Sequence, residues 1–105
     1  MTRQSTRLDP KDVAELDVIT FDFTAVLNTG ETITSSSVAV EVYAGTDASP
    51  SGLLLNTAQT QGAKVLQAIQ AGVVGVEYLL RCSVTTNAAT PRTLVLSGLI
   101  NVIKI

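Results

Sequence analysis

Residues 76–85 read VEYLLRCSVT, with Val76, Tyr78, Leu80, Cys82 and Val84 on one side and Glu77, Arg81, Ser83 and Thr85 on the other. A period of two over that length, broken only by Leu79, defines a half-buried strand, because a helix would scatter the same side chains around its circumference. The pattern recurs upstream. Ile19, Phe21 and Phe23 alternate with Thr20, Asp22 and Thr24, and Val38, Val40 and Val42 alternate with Ala39, Glu41 and Tyr43. Val65, Gln67 and Ile69 form a further row, with Leu66 and Ala68 opposite.

Turn chemistry separates these runs. Asn28-Thr29-Gly30 reads as a turn, and AGTDASPSG (44–52) combines glycine, proline and local side-chain acceptors. NTAQTQG (56–62) reads as a loop or an irregular edge, Gly72 and Gly75 bracket a turn, and 86–91 close a hairpin-like connection before a last strand that begins at Arg92. Valine, isoleucine and threonine total 33 of 105 residues, and β-branched side chains favour pleated sheets over helices. Six or seven short strands at regular spacing, with no good helix, predict an all-β fold: an immunoglobulin-like antiparallel β-sandwich. The length allows one core. The expected division is an N-terminal arm over 1–14 and a sandwich domain over 15–105 with an apolar C-terminal strand.

Catalysis finds little to work with. The chain has no His and one Cys, which removes the commonest general base, the commonest metal ligand, and any paired-cysteine zinc site or internal disulfide. Cys82 lies on the core face of its strand with no His to activate it, and a lone thiol suits a reducing compartment. Asp9, Asp12, Glu15 and Asp17 lack calcium-loop spacing and sit among Arg7 and Lys11. Ser35-Ser36-Ser37 has no nucleophile-elbow context, and the glycines never form a phosphate-binding loop. No catalytic, cofactor-binding or metal-binding residue is assigned, and the chain is expected not to be an enzyme.

A net charge of −2 and a pI near 4.8 argue against a nucleic-acid partner. No stretch is apolar enough to span a bilayer as a helix, and the N-terminus does not read as a signal peptide. Two Tyr, two Phe and no Trp are few for a carbohydrate-binding or adhesion module, the most distant functional alternative.

The two ends stand apart from the alternating body. The arm carries Arg3, Arg7 and Lys11, with Asp9-Pro10 disfavouring helix; such a segment is ordered either on its own domain or by a neighbouring subunit. At the other end, Leu99, Ile103 and Ile105 share one face and Ile100 and Val102 the other. A strand apolar on both faces is either central to its sheet or a surface that pairs with another chain. Arg3, Arg7, Lys11, Leu99, Ile100, Val102, Ile103 and Ile105 are accordingly the candidate partner-binding residues.

Residues 10–34 carry Pro10-Lys11-Asp12, Leu16-Asp17, Phe21-Asp22-Phe23 and Gly30-Glu31-Thr32-Ile33. Further on come the Gly-x-x-Tyr of Gly75–Tyr78, a long strand, a Thr-Thr pair and Arg92-Thr93-Leu94. In this order, from Pro10 to about Gly98, the chain resembles a family of small tailed-phage structural proteins that includes fibre-tail adaptors. It departs from that pattern in having Val13 where a proline is usual, in lacking Trp, and in a longer, more apolar tail after Gly98. The resemblance implies an Ig-like virion module, made in the host cytoplasm and present in many copies of a symmetric assembly. Its implied partners are a tail adaptor or hub and a tail fibre. The alternative within the same class is a capsid cement, decoration or head-completion protein bound to the major capsid protein.

Overall fold

The computed structural model describes the backbone of residues 6–7 and the whole of residues 11–104. Eight strands follow one another: β1 (Thr6–Arg7), β2 (Lys11–Asp12), β3 (Asp17–Asp22), β4 (Ile33–Ala44), β5 (Leu54–Gln61), β6 (Lys64–Ile69), β7 (Glu77–Thr86) and β8 (Thr93–Ile103). The only helical turn among the described residues is a 3-10 turn at Pro50–Leu53, where proline occupies a position that needs no amide donor.

The strands divide into two sheets. One has the order β1-β8-β7-β4, with β2 also on β8; the other has the order β3-β6-β5. β1 and β2 run parallel to β8, and all other pairs are antiparallel. The protein is thus all-β, as the alternation predicts.

The expected inward rows meet between the sheets. Ile19, Phe21, Phe23, Val65 and Ile69 come from the small sheet, and Val76, Tyr78, Leu80, Cys82 and Val84 from β7 and its approach; all are buried in one cluster. Burying a large apolar side chain contributes about 1.5–3 kcal/mol, so this shared interior holds the two sheets together. β4 keeps Val38, Val40 and Val42 half-buried against the same cluster and leaves its alternate residues in solvent.

The segment after Leu55 is an irregular edge strand and not a loop. β5 pairs with β6 at Leu54–Leu55 and again at Gln59–Gln61, with the register broken between. Asn56 takes a φ of 64° at the break, a left-handed conformation that Asn tolerates better than most residues. Beneath it Gln67 is buried, and its Nε2 donates to the carbonyls of Ala68 at 2.7 Å, Asn56 at 3.2 Å and Leu55 at 3.3 Å. A buried side-chain amide thus bonds to backbone carbonyls at the point where the β5–β6 register breaks.

Candidate partner-binding surface

The predicted contact residues fall on β1, β2 and β8, which the topology brings side by side. β8 lies between β7 and the two short N-terminal strands, with Arg7 opposite Leu99, Lys11 opposite Val102 and Asp12 opposite Ile103. The C-terminal strand is therefore internal to its sheet, which accounts for its two apolar faces. Ile100 and Val102 point into the core at 1% and 0% exposure. Leu99, on the opposite face beside Leu79 of β7, is buried as well. Of the two possibilities for a strand apolar on both faces, the central one holds, which corrects the naming of Leu99, Ile100 and Val102 as partner-binding candidates: folding uses these side chains inside the chain itself. Ile103 remains exposed at 37%. Arg3, Ile105 and the Asp9-Pro10 pair lie outside the described residues, as does the side chain of Arg7.

Lys11 needs a second correction. Named as a partner-docking cation of the arm, it is 1% exposed. Its Nζ donates to the carbonyls of Asp12 at 2.8 Å, Ala71 at 2.8 Å and Val13 at 3.4 Å. An ammonium has three N–H donors, and each finds an oxygen. Burial lowers the pKa of Lys11, opposed by the nearby carboxylates of Glu15, Asp12 and Asp17. Asp12, Ala14 and Glu15 fold into a tight turn behind it. The Asp12 amide donates to Glu15 Oε1 and the Ala14 amide to Asp12 Oδ1, each at 2.8 Å.

A surface that strand alternation alone does not single out lies on the outer face of the small sheet. Val18, Leu55, Leu66 and Ala68 line a groove of about 240 Å³ with Asn56, Thr57, Gln59 and Gln61. Val18 is 51% exposed and neighbouring Leu16 69%. The signal is present in KVLQAI, where Leu66 and Ala68 make β6 apolar on both faces although its sheet has only one face against the core.

Two polar ties fix the loops around this frame. Tyr78, fully buried at the start of β7, accepts the Val73 amide at 2.8 Å and donates to Asp47 Oδ2 at 2.6 Å. Arg92 reaches Glu31 with both its Nε (2.9 Å) and Nη2, and the same Nη2 donates to the Val26 carbonyl at 3.0 Å. The Arg92 hydrogen bonds, the Asn28 amide and Thr86 hold the Glu31 carboxyl at about 2, below its ordinary 4.5. A depressed carboxylate favours the folded state above its unfolded pKa, and that contribution fades as pH falls towards the folded value. Urea midpoints are therefore expected to fall between about pH 4.5 and 2, and to fall less steeply in Glu31→Gln. Identical acid slopes for both proteins would remove Glu31 from the account.

The thiol of Cys82 is buried, and burial pushes it up to about 11, which disfavours the thiolate at neutral pH. Among the described residues no group of three or more His, Cys, Asp or Glu side chains gathers as a metal site. No helix among them is long and apolar enough to cross a membrane.

A two-sheet body with polar ties at its loops and apolar side chains on an outer face has the character of a structural interaction module. A family model described as podophage GP4 fiber-tail adaptor protein gp77 matches residues 11–98, and the chain belongs to that family. It is accordingly a structural adaptor of a tailed-phage virion, and adaptors of this family bind other tail proteins such as the fibre. No curated protein sequence matches the chain.

Proposed function

We propose that the chain is a non-enzymatic bridge between tail hub and tail fibre, built on an immunoglobulin-like sandwich and repeated around the tail axis. The observation that carries this reading is the family match across residues 11–98, which covers β2 to β7 and half of β8.

Two structural features support the Ig-like assignment. The sheet orders β3-β6-β5 and β8-β7-β4 correspond to strands B-E-D and G-F-C of that fold, with β1 and β2 as an N-terminal strand laid on the last one. Tyr78, at the start of the strand in the F position, accepts an amide five residues upstream, the arrangement of a tyrosine corner.

Partner contact in this reading uses the ends of the chain and the outer groove. Arg3, Arg7 and Ile105, with exposed Ile103, dock one neighbour. The Val18–Leu66 groove on the other sheet faces a second. Each contact needs roughly 800 Å² per partner to be stable. The domain division follows the same line, with 1–14 as the docking arm and 15–105 as the sandwich, although Lys11 and Asp12 of that arm pair with β8.

Virions produced without this chain test the proposal. They are expected to retain filled heads and tail hubs, lack fibres and fail to adsorb, and the purified chain should restore fibre attachment. Copy number tied to tail symmetry supports the bridge. Copy number that instead tracks the major capsid protein, with fibres still in place on depleted particles, would overturn it in favour of a capsid cement protein.

A further inference from the structure

The buried ammonium of Lys11 belongs to no contact surface, and its place in the fold suggests a different task. β2 pairs with β8 through only two residues. A pairing that short fixes its own register weakly, and sliding it by two residues would return every side chain to the same face. The slide would move Lys11 by about 7 Å, well beyond hydrogen-bond reach of its acceptors. One acceptor lies outside the N-terminal segment altogether: the carbonyl of Ala71, in the β6–β7 connection. Ala71 is one of two non-glycine residues with positive φ among the described residues, at 49°. The neighbouring backbone is anchored to the same stretch of β8, since the Gly75 amide donates to the Val102 carbonyl at 2.8 Å and the Val102 amide to the Val76 carbonyl at 3.1 Å. On the other edge, the Val13 amide donates to the Ile103 carbonyl at 2.7 Å.

We propose that Lys11 is the register latch of the N-terminal segment: its ammonium, seated on the Ala71 carbonyl, selects the one parallel pairing of β2 with β8 and so sets the register in which the preceding strand β1 lies along β8. The latch depends on charge and reach together. An apolar side chain of equal length fills the space but makes no distinction between registers, and replacing a buried charge by a packed apolar group is often neutral or stabilising overall. A space-filling role and a latching role therefore predict opposite local results.

The test uses the full chain alone and needs no phage partner, so it stands apart from the adaptor reading. Amide exchange is followed at Val13, which bonds to β8, and at Phe23, which donates to Ala63 at 2.9 Å just past the ends of β3 and β6. In Lys11→Met, Val13 is expected to exchange at least about tenfold faster than in wild type, while Phe23 is unchanged. Trypsin cleavage after Arg7 should accelerate in parallel. Wild-type exchange at Val13 in Lys11→Met, or equal acceleration at both amides, overturns the latch. If Lys11→Met fails to fold, the wild-type protein still decides. The Lys11 ammonium should give a slowly exchanging nitrogen-bound proton signal with contacts to Ala71, and a rapidly exchanging, solvent-like signal refutes the proposal.

Discussion

Gly72→Ala is expected to cost about 4 kcal/mol, the sum of roughly 2 for backbone strain and 2 for overpacking. Gly72 has a φ of +93°, and a Cβ there would lie 2.7 Å from Val102 Cγ2, 3.2 Å from Leu53 Cδ1 and 3.5 Å from Tyr78 Cε2. All three neighbours are buried, so none can swing aside into solvent. For a domain of this size the loss corresponds to a fall in Tm of about 15–30 °C, a large part of the stability such domains possess. Gly30→Ala provides the control. Its φ is +79°, but nothing lies within 4 Å of the added carbon, so only the strain of about 2 kcal/mol should appear. Thermal unfolding that gives equal losses for the two variants would show that crowding against Val102 is not real.

Tyr78→Phe should be the second most damaging change relative to the number of atoms removed. The lost hydroxyl leaves the Val73 amide without its acceptor and removes the bond to Asp47 Oδ2, while Oδ1 keeps the Ser49 amide. Losing a part-buried bond from an amide together with a charge-assisted bond to a carboxylate costs about 2 kcal/mol, or about 8–16 °C in Tm. The pH dependence identifies the group. Burial first, and the Asp47 hydrogen bond second, push the Tyr78 phenol up to about 12 from 10.0. A raised acid stabilises the fold below its unfolded pKa and loses that contribution as pH rises towards the folded value. Wild-type stability should therefore decline between about pH 10 and 12 more steeply than that of Tyr78→Phe. Parallel alkaline profiles would assign the decline to other groups.

What the amino-acid order reveals and what it hides follow one physical division. Alternation reports which side of a strand faces an interior, and so the rows at Ile19–Phe23, Val38–Val42 and Val76–Val84 are legible from the order of residues alone. The same logic leaves two possibilities open for β8, because a strand apolar on both faces is compatible with a central position and with an exposed one. Only the pairing of β1 and β2 with it decides between them. β5 is obscured by its own irregularity, since a register break at Asn56 interrupts the period that identifies a strand.

Polar groups are the least legible. Lys11 looks like a surface cation from composition alone, and its burial depends on a carbonyl 60 residues away. Arg92 and Glu31 are 61 residues apart, and nothing in their local sequence announces the pair. The outer groove at Val18, Leu55, Leu66 and Ala68 gives a partial signal through the two-faced apolar pattern of β6. Its recognition requires knowing that no third layer of described residues covers that sheet.

The parallel pairing of the N-terminal strands with β8 also has a consequence for biosynthesis. β1 and β2 are made before the other six described strands, yet β8, the strand they pair with, is made after the other seven. Until β8 is released, the earliest segment has no bed to lie on, and β7 has an open flank. Closing a contact across most of the chain is slow, and it leaves exposed strand edges in the meantime. A ribosome stalled before Thr93 should therefore hold a chain whose small sheet can form but whose β1–β2 segment remains open to protease, with protection arriving only when β8 clears the exit tunnel.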